Sequence, residues 1–180
     1  RVLHDHRAGG SLMRLLTGAR WRIGPSDIAA LADRARYLSR PADDGAERNP
    51  DDAVGLVEAL DDLGPADRYS AEGYRRLEAL CVELRGLRSR SGVALPELVS
   101  DVERTIGVAL ELAARPDRAA TGRVHLDRFL DEVVRFTEEA DLSYASGSGG
   151  PPGLGAFLAA PVFASSVVAM NPKSSPRRYV

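Results

Sequence analysis

The chain has 180 residues, 44% of them hydrophobic and 28% charged, with a net charge of -2, a length that holds one compact domain or one domain plus a tail and argues against two full domains. Nothing near Arg1 combines a basic stretch with an apolar run and a small-residue cleavage site, and the longest apolar run, Val162 to Met170, contains two serines and is far too short to span a bilayer, so neither a secretory signal nor a membrane partner is expected. The single cysteine, Cys81, has no partner for an internal disulfide, which fits a reducing cytoplasm, the expected location.

The first forty residues carry eight Arg against three Asp, a local charge of +5, while the rest of the chain stands at -7. An anionic partner is therefore expected at the first segment. Only Lys173 among the 24 basic residues is a lysine, a bias that a GC-rich coding genome explains as readily as phosphate recognition does. Arg1-Val2-Leu3-His4 reads as the end of an element already under way, so the chain is expected to be an internal fragment of a longer protein.

Helical periodicity dominates the chain. After Gly24, Pro25 suits a first helical turn because its missing N–H would be unpaired there, and Ile28, Leu31, Ala32, Ala35 and Leu38 recur at helical spacing until Pro41. Residues 41–52, with Asp43, Asp44, Glu47, Asp51 and Asp52, have the polarity of an exposed loop. A short helix with Leu56, Val57, Leu60 and Leu63 on one face stops at Gly64-Pro65. Ser70 is placed to cap the expected longest helix, whose stripe of Leu77, Leu80, Cys81, Leu84 and Leu87 predicts one buried side up to about Gly92. Pro96 opens a further helix through Leu98, Val99, Val102 and Ile106, with Gly107 at its close, and the last strong helix is predicted over about 122–140 with Leu126, Phe129, Leu130, Val133 and Phe136 inward.

These elements predict an all-α fold, an irregular helical bundle with a flexible C-terminal tail. The expected organisation is a helical domain over residues 1–142, a Gly/Pro/Ser linker over 143–153, and a short helix with a divergent tail over 154–180, in which Leu154, Phe157 and Leu158 give one or two turns.

Most chemistry-bearing residues have plain structural explanations. His4 and His6 lie two apart, so on a helix they cannot share one ion, and no Cys, His and carboxylate cluster supplies further ligands; no metal site is expected. His125 reads as a surface or half-buried residue, and Cys81, on an apolar stripe, as a buried thiol rather than a nucleophile. The pairs Asp43/Asp44, Asp51/Asp52, Asp61/Asp62 and Glu138/Glu139 are adjacent in sequence, the pattern of a solvated face rather than of paired general acids. The glycine-rich run at 146–153 lacks the Lys-Ser/Thr ending of a phosphate-binding P-loop. No catalytic residue is expected.

One junction remains, Gly18-Ala19-Arg20-Trp21-Arg22-Ile23-Gly24-Pro25. Two glycines free backbone N–H groups, the next helix offers its positive end, and Arg20 and Arg22 add charge, which together make a phosphate-binding corner. The same residues equally suit a helix-turn-helix hairpin with Trp21 and Ile23 as packing anchors.

The run from Arg1 through His4-Asp5-His6-Arg7-Ala8-Gly9-Gly10 to Leu16, followed by Arg22-Ile23-Gly24 and a helix, resembles the start of the 2B subdomain of UvrD/PcrA/RecB-like superfamily 1A DNA helicases. In that family a helix leads to a Gly-Ile-Gly type turn whose backbone grips duplex phosphates ahead of the fork. Ile23 and Gly24 match the last two positions, while Arg22 stands where the first glycine would be. Leu56-Val57-Glu58-Ala59-Leu60, Tyr74-Arg75-Arg76-Leu77, Leu95-Pro96-Glu97-Leu98-Val99 and His125-Leu126-Asp127-Arg128-Phe129 resemble the branch found in GC-rich bacteria, and the likeness ends after Ala160.

The resemblance implies a duplex-DNA-binding accessory subdomain of an ATP-dependent 3′ to 5′ DNA helicase of repair or recombination. Its implied partners are double-stranded DNA near a fork and the remaining helicase domains of the parent chain. ATP and magnesium belong to that parent, and no cofactor or ATP hydrolysis is expected of this piece. Arg20, Arg22, Ile23 and Gly24 become the candidate phosphate contacts, with Trp21 as structural support. A helical protein-interaction module that ignores nucleic acid is the alternative.

Overall fold

The computed structural model describes residues 1–40, 54–108, 114, 116–147, 153–161 and 163. Among them are seven α-helices and no strand, so the fold is all-α as the periodicity requires. The acidic stretch expected as a loop at 41–52 and nearly all of the expected tail at 161–180 lie outside the described residues. Among the described residues, no helix is long and apolar enough to cross a membrane.

The chain divides into two compact units, Arg1–Arg88 and Ser89–Val180. Length alone favoured one domain, and composition placed the first boundary at residue 143. The division falls at the last residue of the helix Ala71–Ser89, of whose stripe Leu77, Leu80, Cys81 and Leu84 lie in the first unit's core.

In the first unit, α1 (Gly9–Thr17) buries Leu12 and Leu16, one turn apart. Helix α2 (Pro25–Leu38) begins after Gly24 with the proline in its first turn and buries Asp27, Leu31 and Ala35 at intervals of four. Helix α3 (Leu56–Asp61) packs against α1 and α2, and its start is fixed by Glu58, whose carboxylate accepts the Gly55 N–H at 2.8 Å. After Gly64 and a 3-10 turn (Ala66–Arg68), α4 (Ala71–Ser89) buries Leu77, Leu80, Cys81, Leu84 and Leu87. Each leucine so withdrawn from water contributes roughly 1.5–3 kcal/mol to the hydrophobic term.

Helix α4 opens on an arrangement built around one buried carboxylate. Ser70 caps it as expected, its Oγ accepting the Gly73 N–H at 3.0 Å. The same hydroxyl donates to Asp27 Oδ2 at 2.9 Å, and the Ser70 backbone N–H donates to Asp27 Oδ1 at 2.7 Å. Asp27 is only 5% exposed, the sole buried charged residue among those described. A Cβ on Gly73 would lie 2.2 Å from Asp27 Oδ2, so only glycine fits at that step.

In the second unit, α5 (Leu95–Ile106) ends at Gly107, whose φ of 71° is the left-handed cap that glycine adopts without strain. It packs against α6 (Pro116–Ala145), and α7 (Leu154–Ala159) supplies Phe157, the centre of the unit's core. Phe129, Phe136 and Phe163 meet the Phe157 ring edge-on, with centroids 6.0, 5.2 and 5.5 Å away. Leu126 and Val133 are buried, whereas Phe129, Leu130 and Phe136 are half-buried.

Two expectations about helix length are corrected. Helix α4 has 19 residues and ends at Ser89, and the longest helix is α6, with 30 residues against the expected span 122–140. The extra turns carry no apolar stripe, so periodicity did not mark them, and Pro116 at the first position is compatible with a helix start. Because α6 runs to Ala145, the expected linker cannot begin at Ser143; its residues 148–152 lie outside the described residues.

Candidate nucleic-acid interface

The turn between α1 and α2 is shaped by backbone bonds. Helix α1 stops at Gly18, after which the Arg22 N–H donates to the Gly18 carbonyl at 3.0 Å and the Ile23 N–H to the Leu16 carbonyl at 2.8 Å. This closure puts Arg22 at a φ of 46°, the only positive φ of a non-glycine residue among those described. A left-handed conformation costs an L-residue roughly 1–2 kcal/mol, and glycine avoids that cost.

Two arginines tie the turn to α4. Arg76 Nη1 donates to the carbonyls of Trp21 and Arg22 at 3.1 and 3.2 Å, while its Nε pairs with Glu72 Oε1 at 2.7 Å. Arg20 Nη2 lies 2.5 Å from Glu83 Oε2, and its guanidinium sits 5.2 Å from the Trp21 ring centroid. Burial pushes the Glu83 carboxyl above its usual value, and the Arg20 charge pulls the other way.

The predicted site residues therefore come together but in unequal roles. Arg22 is exposed, with its Nε bonded to the Ala19 carbonyl at 2.8 Å. Arg20 is partly exposed and is also a staple to α4. Trp21 is half-buried and packs against the first unit's core. Ile23 is buried and its N–H is committed to Leu16, so its backbone does not offer the phosphate contact expected of it in this conformation. Gly24, half-buried, is left as the turn's backbone candidate.

The electrostatics are more balanced than the +5 segment suggested. Glu83 opposes Arg20, Glu72 opposes Arg76, and Asp27 lies in the first turn of α2 while binding the N-terminal residues of α4. The positive ends of two helices thus already face a buried anion. Asp27, Gly73, Arg76 and Glu83 are the residues that sequence reasoning missed. The Ser70/Gly73 spacing was the one available signal, and it pointed to a cap and not to its distant carboxylate.

Arg75 and then Arg76 hydrogen-bond to Glu72 and hold its carboxyl at about 2, against an ordinary 4.5. With the folded value depressed, this clamp is intact above about 4.5 and is lost as the pH falls through about 2. A carbon-detected titration of Glu72 should find that low midpoint, and Arg75→Ala, removing the larger cause, should raise it. A midpoint near the ordinary value in the parent protein would show that the clamp does not form in solution.

The remaining sequence candidates are apart from this corner. His4 and His6 are exposed, and among the described residues no group of three His, Cys, Asp or Glu side chains is placed to hold a metal. Cys81 is buried as expected, its Sγ 3.5 Å from Asp61 Oδ1, and burial raises the thiol above its ordinary value. Asp61 is only partly solvated, because Arg88 Nη1 reaches it at 2.7 Å and Arg85 Nε at 3.2 Å. Asp62 pairs with Arg34 at 2.7 Å, so this adjacent pair is split between two separate ion-pair groups.

What the fold and the turn define is an all-α protein with a clamped, arginine-bearing corner between two helices. Comparison with known proteins adds no family: no family model matches the chain, and no curated protein matches it.

Proposed function

We propose that the chain is a duplex-DNA-binding accessory module of an ATP-dependent 3′ to 5′ DNA helicase of repair or recombination, holding the duplex near a fork through its phosphates irrespective of base sequence. The observation that carries this reading is the backbone of Arg22. The resemblance puts the first glycine of a Gly-Ile-Gly type turn at this position, and Arg22 adopts the positive φ that a glycine there would favour. The contact then comes from the Arg22 and Arg20 side chains with Gly24, since the Ile23 amide is occupied. ATP, magnesium and the remaining helicase domains belong to the parent protein in this proposal.

Titration of a short duplex at two salt concentrations tests it. Each phosphate contact removed should lower the log-log salt slope by roughly 0.9, and affinity should fall alike for all sequences. Arg22→Ala should weaken binding and flatten the slope with helical content unchanged. Arg22→Gly is the sharper variant: it keeps the positive φ, relieves the strain and removes the charge, so it should fold at least as well and bind as weakly as Arg22→Ala. Duplex affinity and salt slope unchanged in both variants would remove the turn from the interface.

A protein-interaction module is the second reading, favoured by α6. Its 30 residues extend about 45 Å. Val124, Val134, Leu142 and Tyr144 on it are between 43% and 73% exposed, while Leu126 and Val133 alone of its described side chains are buried. Salt-insensitive, DNA-independent association with a protein partner would favour that reading.

A further inference from the structure

A second basic surface lies about 15 Å further along α2 from Gly24, centred near Arg34. The outer face of α2 and the segment from Leu63 to Tyr69 enclose a groove of about 760 Å³. Arg34, Arg36, Arg40 and Arg68 line it, and among the described residues Asp33 is the only carboxylate in the lining. Asp33 is already paired with Arg36.

The groove is built rather than merely charged. Arg34 is held by Asp62, Nη2 to Oδ2 at 2.7 Å and Nε to the backbone carbonyl at 3.0 Å, and its side chain is only 18% exposed. It lies across Gly64, where a Cβ would stand 3.1 Å from its guanidinium carbon and where φ is 68°, so a side chain at 64 would both strain the turn and displace Arg34. Tyr37 is the organising ring: the Arg34 and Arg40 guanidinium carbons sit 5.0 and 5.5 Å from its centroid, within cation–π range, yet the residue is 56% exposed. Leu63 and Tyr69 form a buried floor, with the Tyr69 hydroxyl donating to the Leu63 carbonyl at 2.9 Å.

Two of the four guanidinium groups around this apolar floor are already paired, Arg34 with Asp62 and Arg36 with Asp33, and the described lining still keeps a net positive charge that attracts an anion. The exposed ring adds a requirement that a simple anion does not meet. A chain of phosphates with unpaired bases meets both, since guanidinium groups track its backbone while aromatic and guanidinium planes stack its bases. A duplex, with its bases already stacked, gains nothing from Tyr37. We propose that this groove binds single-stranded nucleic acid, one or a few nucleotides at a time. The proposal does not depend on the turn at 20–24 meeting duplex DNA.

The test is fluorescence anisotropy of the whole chain with a labelled oligothymidylate of about twelve nucleotides, competed by thymidine monophosphate and by inorganic polyphosphate of equal charge. Binding should weaken roughly tenfold in Tyr37→Ala and be retained in Tyr37→Phe, because the ring and not the hydroxyl stacks. Arg68→Ala should lower the log-log salt slope by roughly 0.7. Arg22→Ala should weaken duplex binding more than strand binding and Tyr37→Ala strand binding more than duplex binding, so failure of the duplex proposal and failure of this one are separable. The oligonucleotide should outcompete both smaller and base-free anions. Equal competition by polyphosphate would reduce the groove to a charge patch, and undiminished binding by Tyr37→Ala, with unchanged circular dichroism and Trp21 fluorescence, would equally overturn the proposal.

Discussion

Replacing Gly73 by Ala should destabilise the first unit by roughly 2–4 kcal/mol, although an exposed helical Gly→Ala change ordinarily stabilises by about 1 kcal/mol. The sign reverses because the new methyl carbon would stand 2.2 Å from Asp27 Oδ2 and 2.3 Å from its carboxyl carbon. The carboxylate has to move, and moving breaks its bonds to the Ser70 N–H and hydroxyl while leaving a buried charge short of partners. Urea denaturation followed by the fluorescence of Trp21, the only tryptophan and a residue of this unit, measures the loss. Asp27→Ala alone should also destabilise, since the cap of α4 loses its outer support. In the double variant the clash is absent, so the two penalties should fall short of their sum by roughly 0.5–3 kcal/mol. A Gly73→Ala protein as stable as the parent, or additive penalties, would mean that Asp27 and α4 do not approach each other as described.

The helices were legible wherever one face is apolar at helical spacing. Ile28 to Leu38 and Leu77 to Leu87 marked α2 and the buried half of α4, and Pro25, Ser70 and Gly107 marked their ends or those of α5, because each residue has a local reason to sit at a terminus. The extra turns of α6 were not legible, since their sequence has no apolar stripe and so leaves no periodic trace. Legibility failed most at contacts distant in sequence. The Asp27–Ser70 bonds span 43 residues, the Arg20–Glu83 pair 63 and the Arg76–Trp21 bond 55, and no local pattern announces any of them. For that reason the turn was recognised as basic and glycine-flanked, but the carboxylates that balance it and the commitment of the Ile23 amide were not foreseen. The arginine groove was hidden likewise, as its two walls are separate segments whose charges look unrelated in the sequence.

Those long-range ties bear on what the corner can do. Arg76 and Arg20 hold the turn rigidly against α4, so Arg22 is presented from a fixed backbone. A donor held in this way loses little freedom on binding, which favours the proposed phosphate contact. The balancing carboxylates act in the opposite direction by limiting the net charge.

In the second unit the largest single loss should come from Phe157→Ala, by roughly 3–5 kcal/mol. Phe157 is 1% exposed, and three other phenylalanine rings meet it edge-on at 5.2–6.0 Å. Removing it deletes both the buried area and three ring pairs, each worth roughly 0.5–1.5 kcal/mol beyond area. Helix α7 has six residues and is too short to persist unless its side chains are buried. Hydrogen exchange should therefore show protection vanishing first at the Phe157 and Ala160 amides, bonded to the Gly153 and Ala156 carbonyls, and then along α6 between Phe129 and Phe136. Phe157→Leu, which keeps much of the volume without the ring pairs, should lose less than Phe157→Ala. Phe163→Ala, at a half-buried rim position, should cost less again. If Phe157→Ala left exchange across α6 and α7 unchanged, the four-ring cluster could not be what joins the two helices, and their packing would have to rest on the flanking contacts of Leu95 and Val133.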